Sequence, residues 1–299
     1  MKKLIVIAGP TASGKTSLAV ELAKQLDTAI ISADSRQFYK ELSIGTAKPT
    51  AEEMQGITHY FVDSHSVTEP LTAGQYEIQA LAVVEELFKT KEEIIVVGGS
   101  GLFINALIYG TDQLPHEPAV REKWNQIHQE KGIEFLQEHL REVDPEFYNK
   151  VDTKNAVRLI RAIEIFEITG IPYSQQREMA DDTYRFETEY FVIDHPREIL
   201  YDRINRRVDI MVENGLFQEV ENNIQYKELQ SLNTVGYKEV FSLLAGEIDK
   251  ERAIELIKQN SRRYAKRQLT WFRREKNAHW ISYDSNENMV SEIMAIVHK

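Results

Sequence analysis

At 299 residues the chain is long enough for one large domain, or for a main domain carrying a smaller one. Hydrophobic residues make up 42% and charged residues 28%, which excludes wholesale disorder. The count of zero cysteines excludes disulfides, thiolate zinc sites and cysteine nucleophiles. The net charge of −11 argues at face value against a polyanionic partner, but the average hides a split. From Arg262 to Lys276 there are seven basic residues against one acidic, a local +6, leaving 29 basic against 46 acidic elsewhere. No apolar run approaches the ~18 residues that a bilayer requires. The opening MKKLIVIAGP has no small-residue cleavage site before its Gly-Pro turn, so no signal peptide and a cytoplasmic location are expected.

In chain order, Leu4–Gly9 (LIVIAG) is an unbroken apolar run ending in glycine, the pattern of a strand buried on both faces of a parallel sheet. A helix follows from Gly14 to Leu26. Ala29–Asp34 and His59–Ser64 read as strands, Thr72–Thr90 as a helix and Glu93–Gly98 as a further buried strand. From about Pro115 to Arg185 only helical stretches are evident. Asn155–Thr169 is the clearest of them, stopped by Gly170 and Pro172. The strand pattern returns at Tyr190–Asp194. Pro196 then opens a helix whose apolar stripe runs through Leu200, Ile204, Val208, Met211 and Val212 to Gly215. A long helix is expected from Asp249 to about Glu275, then a short strand at Trp280–Tyr283 and a last helix. Alternation of this kind predicts an α/β core, 1–112 with 188–299, interrupted by a small helical insertion at 113–187.

The segment Gly9, Pro10, Thr11, Ala12, Ser13, Gly14, Lys15, Thr16 fits G-x-x-x-x-G-K-[ST] and lies between a strand and a helix, the context that motif requires. It predicts a P-loop NTPase-like parallel sheet flanked by helices, with a nucleotide or other diphosphate cradled by backbone N–H groups. Lys15 adds a point charge and the Thr16 hydroxyl can hold Mg²⁺. An ATP-binding hydrolase of this class places an acidic metal ligand after a second buried strand. Here Ile94–Ser100 (IIVVGGS) ends in glycines and serine. Asp34, at the carboxyl end of another strand, sits where such sheets bind ligands. It reads as a general base facing the diphosphate, with a metal ligand or an N-cap as the plainer alternatives.

Four stretches carry a resemblance: GPTASGKT, Asp34–Pro49 (DSRQFYKELSIGTAKP), Gly98–Leu107 (GGSGLFINAL) and Arg262–Arg273 (RRYAKRQLTWFR). Together they resemble the tRNA dimethylallyltransferases, also called tRNA isopentenyltransferases, over essentially the whole chain. The resemblance implies transfer of a dimethylallyl group from dimethylallyl diphosphate to the exocyclic amine of the adenosine 3′-adjacent to the anticodon. Mg²⁺ and the tRNA anticodon stem-loop are the expected cofactor and partner, and a monomer is the expected state. An adenine amine is a poor nucleophile, so a base must take its proton as the bond forms, and Asp34 is the candidate. Charge on the departing pyrophosphate needs stabilisation, which the loop amides, Lys15, Mg²⁺ and arginines would supply. The family pattern adds Thr16 and Arg203 to the catalytic set, and Arg197, Arg203 and Arg207 to the diphosphate site. Arg203 and Arg207 are four apart on one helix face. By the same resemblance tRNA would meet Asp34, Ser35, Arg36, Gln37, Ser100, Arg121, Arg158 and Arg161. Ser100 stands where threonine is usual, Val157 where glutamine is, and Phe38 where a smaller aliphatic residue is. In the basic terminal helix Lys266, Arg267 and Arg273 are expected on RNA phosphates, while Trp271 is expected in the core. The runner-up is a phosphate-loop kinase of a nucleoside or small metabolite, and a third reading is an RNA-binding ATPase.

Overall fold

The computed structural model describes residues 2–111, 114–177 and 183–299. They form two compact units, Met1–Gly110 with Tyr184–Lys299, and Thr111–Thr183. The expected boundary at 112/113 lies outside the described residues. The first unit holds the strands β1 (Lys3–Ala8), β2 (Ile30–Ser32), β3 (His59–Tyr60), β4 (Glu93–Gly98), β5 (Glu187–Asp194) and β6 (Ala278–Ser282). They make one parallel sheet in the order β3-β2-β4-β1-β5-β6. Its helices are α1 (Lys15–Gln25), α2 (Ala51–Met54), α3 (Ala73–Leu87) and α4 (Gly101–Ile108) from the first half of the chain. The second unit contains α5 (Pro118–Val143), α6 (Pro145–Lys150), α7 (Ala156–Thr169) and α8 (Tyr173–Arg177). The chain then adds α9 (Arg197–Glu213), α10 (Leu216–Asn222), α11 (Tyr237–Leu244), α12 (Lys250–Phe272) and α13 (Asn286–Val297) to the first unit. Among the described residues no helix is long and apolar enough to cross a membrane.

The apolar run of β1 does not alternate because both faces of the sheet are covered. Leu4, Val6 and Ala8 enter one core with residues of α3 and α4, while Ile5 and Ile7 enter the other with α1 and α13. The segment expected as a strand over His59–Ser64 pairs with β2 only at His59 and Tyr60. Phe61 and Asp63 then take left-handed backbone, φ +62° and +54°, which ends the strand. That turn drops the Phe61 ring onto Tyr76, centroids 4.9 Å apart, in a cluster with Phe38 and Phe103. Phe38, fully buried at the centre of this cluster, is a core residue.

A third core lies beyond the sheet. Val208 of α9, Leu216 and Val220 of α10, Tyr237 and Val240 of α11 and Ile257 of α12 close over Tyr39 and Leu42. Helices α9 and α12 run antiparallel, tied by Arg262 Nη1 to Asn205 Oδ1 at 2.5 Å and by Lys258 Nζ to Asp209 Oδ1 at 2.5 Å. The chain leaves this unit beside the place where it returns. Arg185 N–H donates to the Ile108 carbonyl at 2.8 Å, and the hydroxyls of Tyr109 and Tyr184 donate to the two carboxylate oxygens of Glu275 at 2.6 and 2.9 Å.

In the second unit α5 bends at Gly132, whose φ of +79° breaks the helical ladder. Leu159, Ile160 and Ile163 of α7 pack on Trp124, Leu136 and Leu140 of α5. Glu164, fully buried on the same helix, accepts from Arg121 and Arg161 and pairs with His116.

Candidate active site

The phosphate loop turns from β1 into α1 with Ala12 and Gly14 in left-handed backbone, φ +63° and +92°. Such residues gather successive N–H groups around one concavity at a helix N-terminus, an anion site. Side chains from distant elements grip the loop. Thr11 N–H donates to Gln268 Oε1 at 2.9 Å, Arg203 Nε to the Ala12 carbonyl at 2.8 Å, and His195 Nε2 to the Ser13 carbonyl at 2.9 Å. Arg207 Nη1 reaches the Thr11 hydroxyl at 3.4 Å. The Lys15 ammonium folds back onto the Pro10 carbonyl at 2.7 Å. Burial pulls its pKa down from 10.5 to about 8, the Asp34 carboxylate opposing the shift and Arg207 adding to it.

Thr11, Lys15 and Thr16 line a pocket together with Asp34, Arg207 and Gln268. The same pocket continues along an apolar wall of Ile204, Val208, Met211, Val235 and Ile257. Asp34 lies two residues past β2, and the strand order brings it to the pocket across the end of β4. One of its oxygens accepts the Arg36 N–H at 3.2 Å, closing a turn. The residues after it are anchored within the first unit. Ser35 shares a hydrogen bond with Ser100 at 3.0 Å, Arg36 donates to the carbonyls of Gln230 and Ser231, and Gln37 to those of Thr46 and Ala47. Tyr264 of α12 completes this wall. Burial, reinforced by the Asp34 charge, pushes its phenol up to about 12.

The glycines after β4 are explained by α12. A Cβ on Gly99 would stand 2.3 Å from Gln268 Nε2, which donates to the Gly99 carbonyl at 2.9 Å. One on Gly101 would stand 2.1 Å from Trp271 Cδ1, and Trp271 packs against the sheet core. The motif therefore admits a helix where a nucleotide hydrolase would hold a metal ligand. Among the described residues no group of three or more acidic or histidine side chains is placed to hold a cation. The donor set present, the Thr16 hydroxyl beside an anion cradle, suits a hard cation that takes its other ligands from phosphate oxygens and water.

The remaining expected residues divide. Arg197 is exposed, sits over the Tyr201 ring at 5.1 Å and does not line the pocket. Lys266, Arg267 and Arg273 are exposed on α12 and its C-cap. In the second unit Arg158 is exposed at the start of α7. Arg121 and Arg161, with side chains 25% and 29% exposed, hold the Glu164 carboxylate. Arg161 also donates to the carbonyls of Leu114 and Pro115. Sequence reading passed over Gln268, Tyr264 and His195. The available signal was spacing, since Ile257, Ser261, Tyr264 and Gln268 recur on one face of α12 opposite its exposed cations.

A phosphate loop, the Asp34 carboxylate beside it and an apolar extension of the same pocket define a protein of the phosphate-loop class. A family model described as IPP transferase matches residues 37–275. The tRNA dimethylallyltransferase of Cytophaga hutchinsonii is 48% identical over 93% of this chain and 92% of its own length. That of Acetivibrio thermocellus is 42% identical over 98% and 96%. Among solved structures, the tRNA isopentenylpyrophosphate transferase of Bacillus halodurans superposes with a TM-score of 0.73 at 36% identity, covering 100% of this chain and 96% of that one. A eukaryotic dimethylallyltransferase described as acting on tRNA gives 0.82 at 26% identity, over 94% and 74%. The chain belongs to the IPP transferase family.

Proposed function

We propose that this chain transfers the dimethylallyl group of dimethylallyl diphosphate to the exocyclic amine of the tRNA adenosine that follows the anticodon on its 3′ side. The observation that carries the reading is the pocket's two chemistries. Lys15, Thr16 and Arg207 meet Asp34 at one end, and Ile204, Val208, Met211 and Ile257 line its extension. Nothing favours a kinase, whose acceptor would not need the apolar wall, and the relatives named above are tRNA transferases.

Asp34 accepts a proton from the adenine amine as its nitrogen bonds to C1 of the prenyl group. The C1–O bond breaks with its electron pair going to the pyrophosphate. Its charge is met by the loop N–H groups, Lys15, Arg203 and Arg207. The Thr16 hydroxyl would hold Mg²⁺, which when bound would supply further neutralisation of leaving-group charge. The adenine must be flipped out of its stack to reach Asp34. Ser35, Arg36, Gln37 and Ser100 frame the position of the incoming nucleotide. Lys266, Arg267 and Arg273 hold RNA phosphates, as does the second unit through Arg158 with the exposed parts of Arg121 and Arg161.

The test is incubation with tRNA and Mg²⁺, alongside labelled dimethylallyl diphosphate or γ-labelled ATP. Prenyl label should enter the tRNA and phosphate label should enter nothing. Asp34→Asn should lower turnover by about 10²–10⁴ while tRNA affinity stays within a few-fold. Phosphate transfer from ATP, or a variant keeping half the wild-type rate, would overturn the assignment.

A further inference from the structure

The pocket changes character along two helices. Because α9 and α12 are antiparallel, with Arg262 beside Asn205 and Lys258 beside Asp209, the loop-gripping residues share one end. Arg207 and Gln268 both touch Thr11 there. The charged residues lining the pocket are Lys15, Asp34, Arg36 and Arg207, and past Arg207 on α9 the lining is apolar. One helical turn further, about 6 Å at four residues of ~1.5 Å rise, stands Met211. Ile257 lines the pocket one residue from Lys258, whose ion pair with Asp209 places it at the same level, and Val235 joins them.

Two of these walls are already closed by packing. Val208 is 2% and Ile257 1% exposed, so neither has slack to yield. Met211 is only partly buried while lining the pocket, and its unbranched thioether chain is the adaptable one of the set. The length scales decide what fits. With C1 at the phosphate beside Arg207, a placement that rests on the transferase reading, an extended dimethylallyl chain reaches about 4 Å, since each ~1.5 Å carbon–carbon bond of a zigzag advances it by ~1.3 Å. A geranyl chain reaches roughly 9 Å on the same count, past the level of Met211.

We propose that Met211 is the stop that sets prenyl chain length, admitting a five-carbon allylic diphosphate and refusing a ten-carbon one. Truncation to alanine removes three heavy atoms beyond Cβ, about the reach of the added isoprene unit. The experiment compares wild type, Met211→Ala, Met211→Val and Met211→Leu. Each is assayed for binding of pyrophosphate, dimethylallyl S-thiolodiphosphate and geranyl S-thiolodiphosphate by calorimetry, and for tRNA turnover with the two natural diphosphates. Pyrophosphate affinity within two-fold of wild type reports an intact loop. The expected result is a geranyl-to-dimethylallyl ratio of kcat/KM at least ten-fold higher in Met211→Ala, smaller in Met211→Val, and unchanged in the volume-conserving Met211→Leu. An unchanged ratio in truncated variants that still bind the dimethylallyl analogue overturns the chain-length stop alone. A wild-type protein that binds pyrophosphate and neither allylic analogue overturns the transferase reading, and this inference with it.

Discussion

Lys15 holds its charge where the protein disfavours it until an anion arrives. Burial lowers its folded pKa to about 8 against 10.5 for the free side chain. Below pH 8 both folded and unfolded chains carry the proton, so the cost of burying the ammonium is fully present. Between pH 8 and 10.5 the unfolded chain binds more protons, and this group's contribution to stability rises. Lys15→Met should therefore stabilise the ligand-free protein at pH 7 by on the order of 2 kcal/mol, lose pyrophosphate affinity, and show no such rise with pH. Melting temperatures measured from pH 7 to 10 check this, and parallel curves for the two proteins would contradict it. That Lys15, Thr16, Asp34, Arg203 and Arg207 gather around the phosphate loop was legible from sequence, because a contiguous motif, a strand end and a helical repeat are local signals. Gln268 and His195 were not, since they reach the loop across 257 and 182 residues. No local period encodes such a contact.

Helix α12 does two things at once because its faces differ. Inward, Gln268 ties the phosphate loop to the Gly99 carbonyl and Tyr264 walls the pocket beside Asp34. Outward, Lys266 and Arg267 are exposed, with Arg273 at its C-cap. The basic outer face stood out in the sequence as a charge island. The inner face was hidden because its members, Ile257, Ser261, Tyr264 and Gln268, share spacing but no single chemistry. If the three cations contact RNA phosphates, replacing all of them with glutamine should flatten the slope of log K against log salt by roughly 2, using ~0.7 per single-strand contact. Turnover at saturating tRNA should persist, since none faces the pocket. An unchanged slope in tRNA titrations at several salt concentrations would remove these residues from the interface.

Across the whole molecule the two units carry separate ion networks. Every residue lining the phosphate-loop pocket belongs to the first unit, whereas the Glu164 cluster lies wholly in the second. Arg121 and Arg161 read from sequence as RNA contacts. Both also hold the Glu164 carboxylate, and the sign of that added role was Glu164 itself, an acid inside the apolar stripe of α7 and one turn from Arg161. Glu164→Ala leaves two guanidinium groups without their shared carboxylate and should cost the second unit about 2–4 kcal/mol, less than a fully buried pair because both arginines are partly hydrated. Affinity for tRNA should fall while pyrophosphate affinity stays within two-fold by calorimetry. Parallel loss of both would show that the units do not act separately.

The crossing points at Ile108–Gly110 and Tyr184–Arg185 have a consequence for how this architecture varies. One backbone hydrogen bond and a shared Glu275 hold the outgoing and returning chain together, so the second unit is a closed excursion from an otherwise complete sheet. The ends of the excursion are fixed by the host, and closing a longer or shorter detour between them changes the free energy only logarithmically with length. The insert is therefore an exchangeable cassette. Changes in its length or sequence can be taken up without disturbing the sheet or the phosphate loop of the first unit.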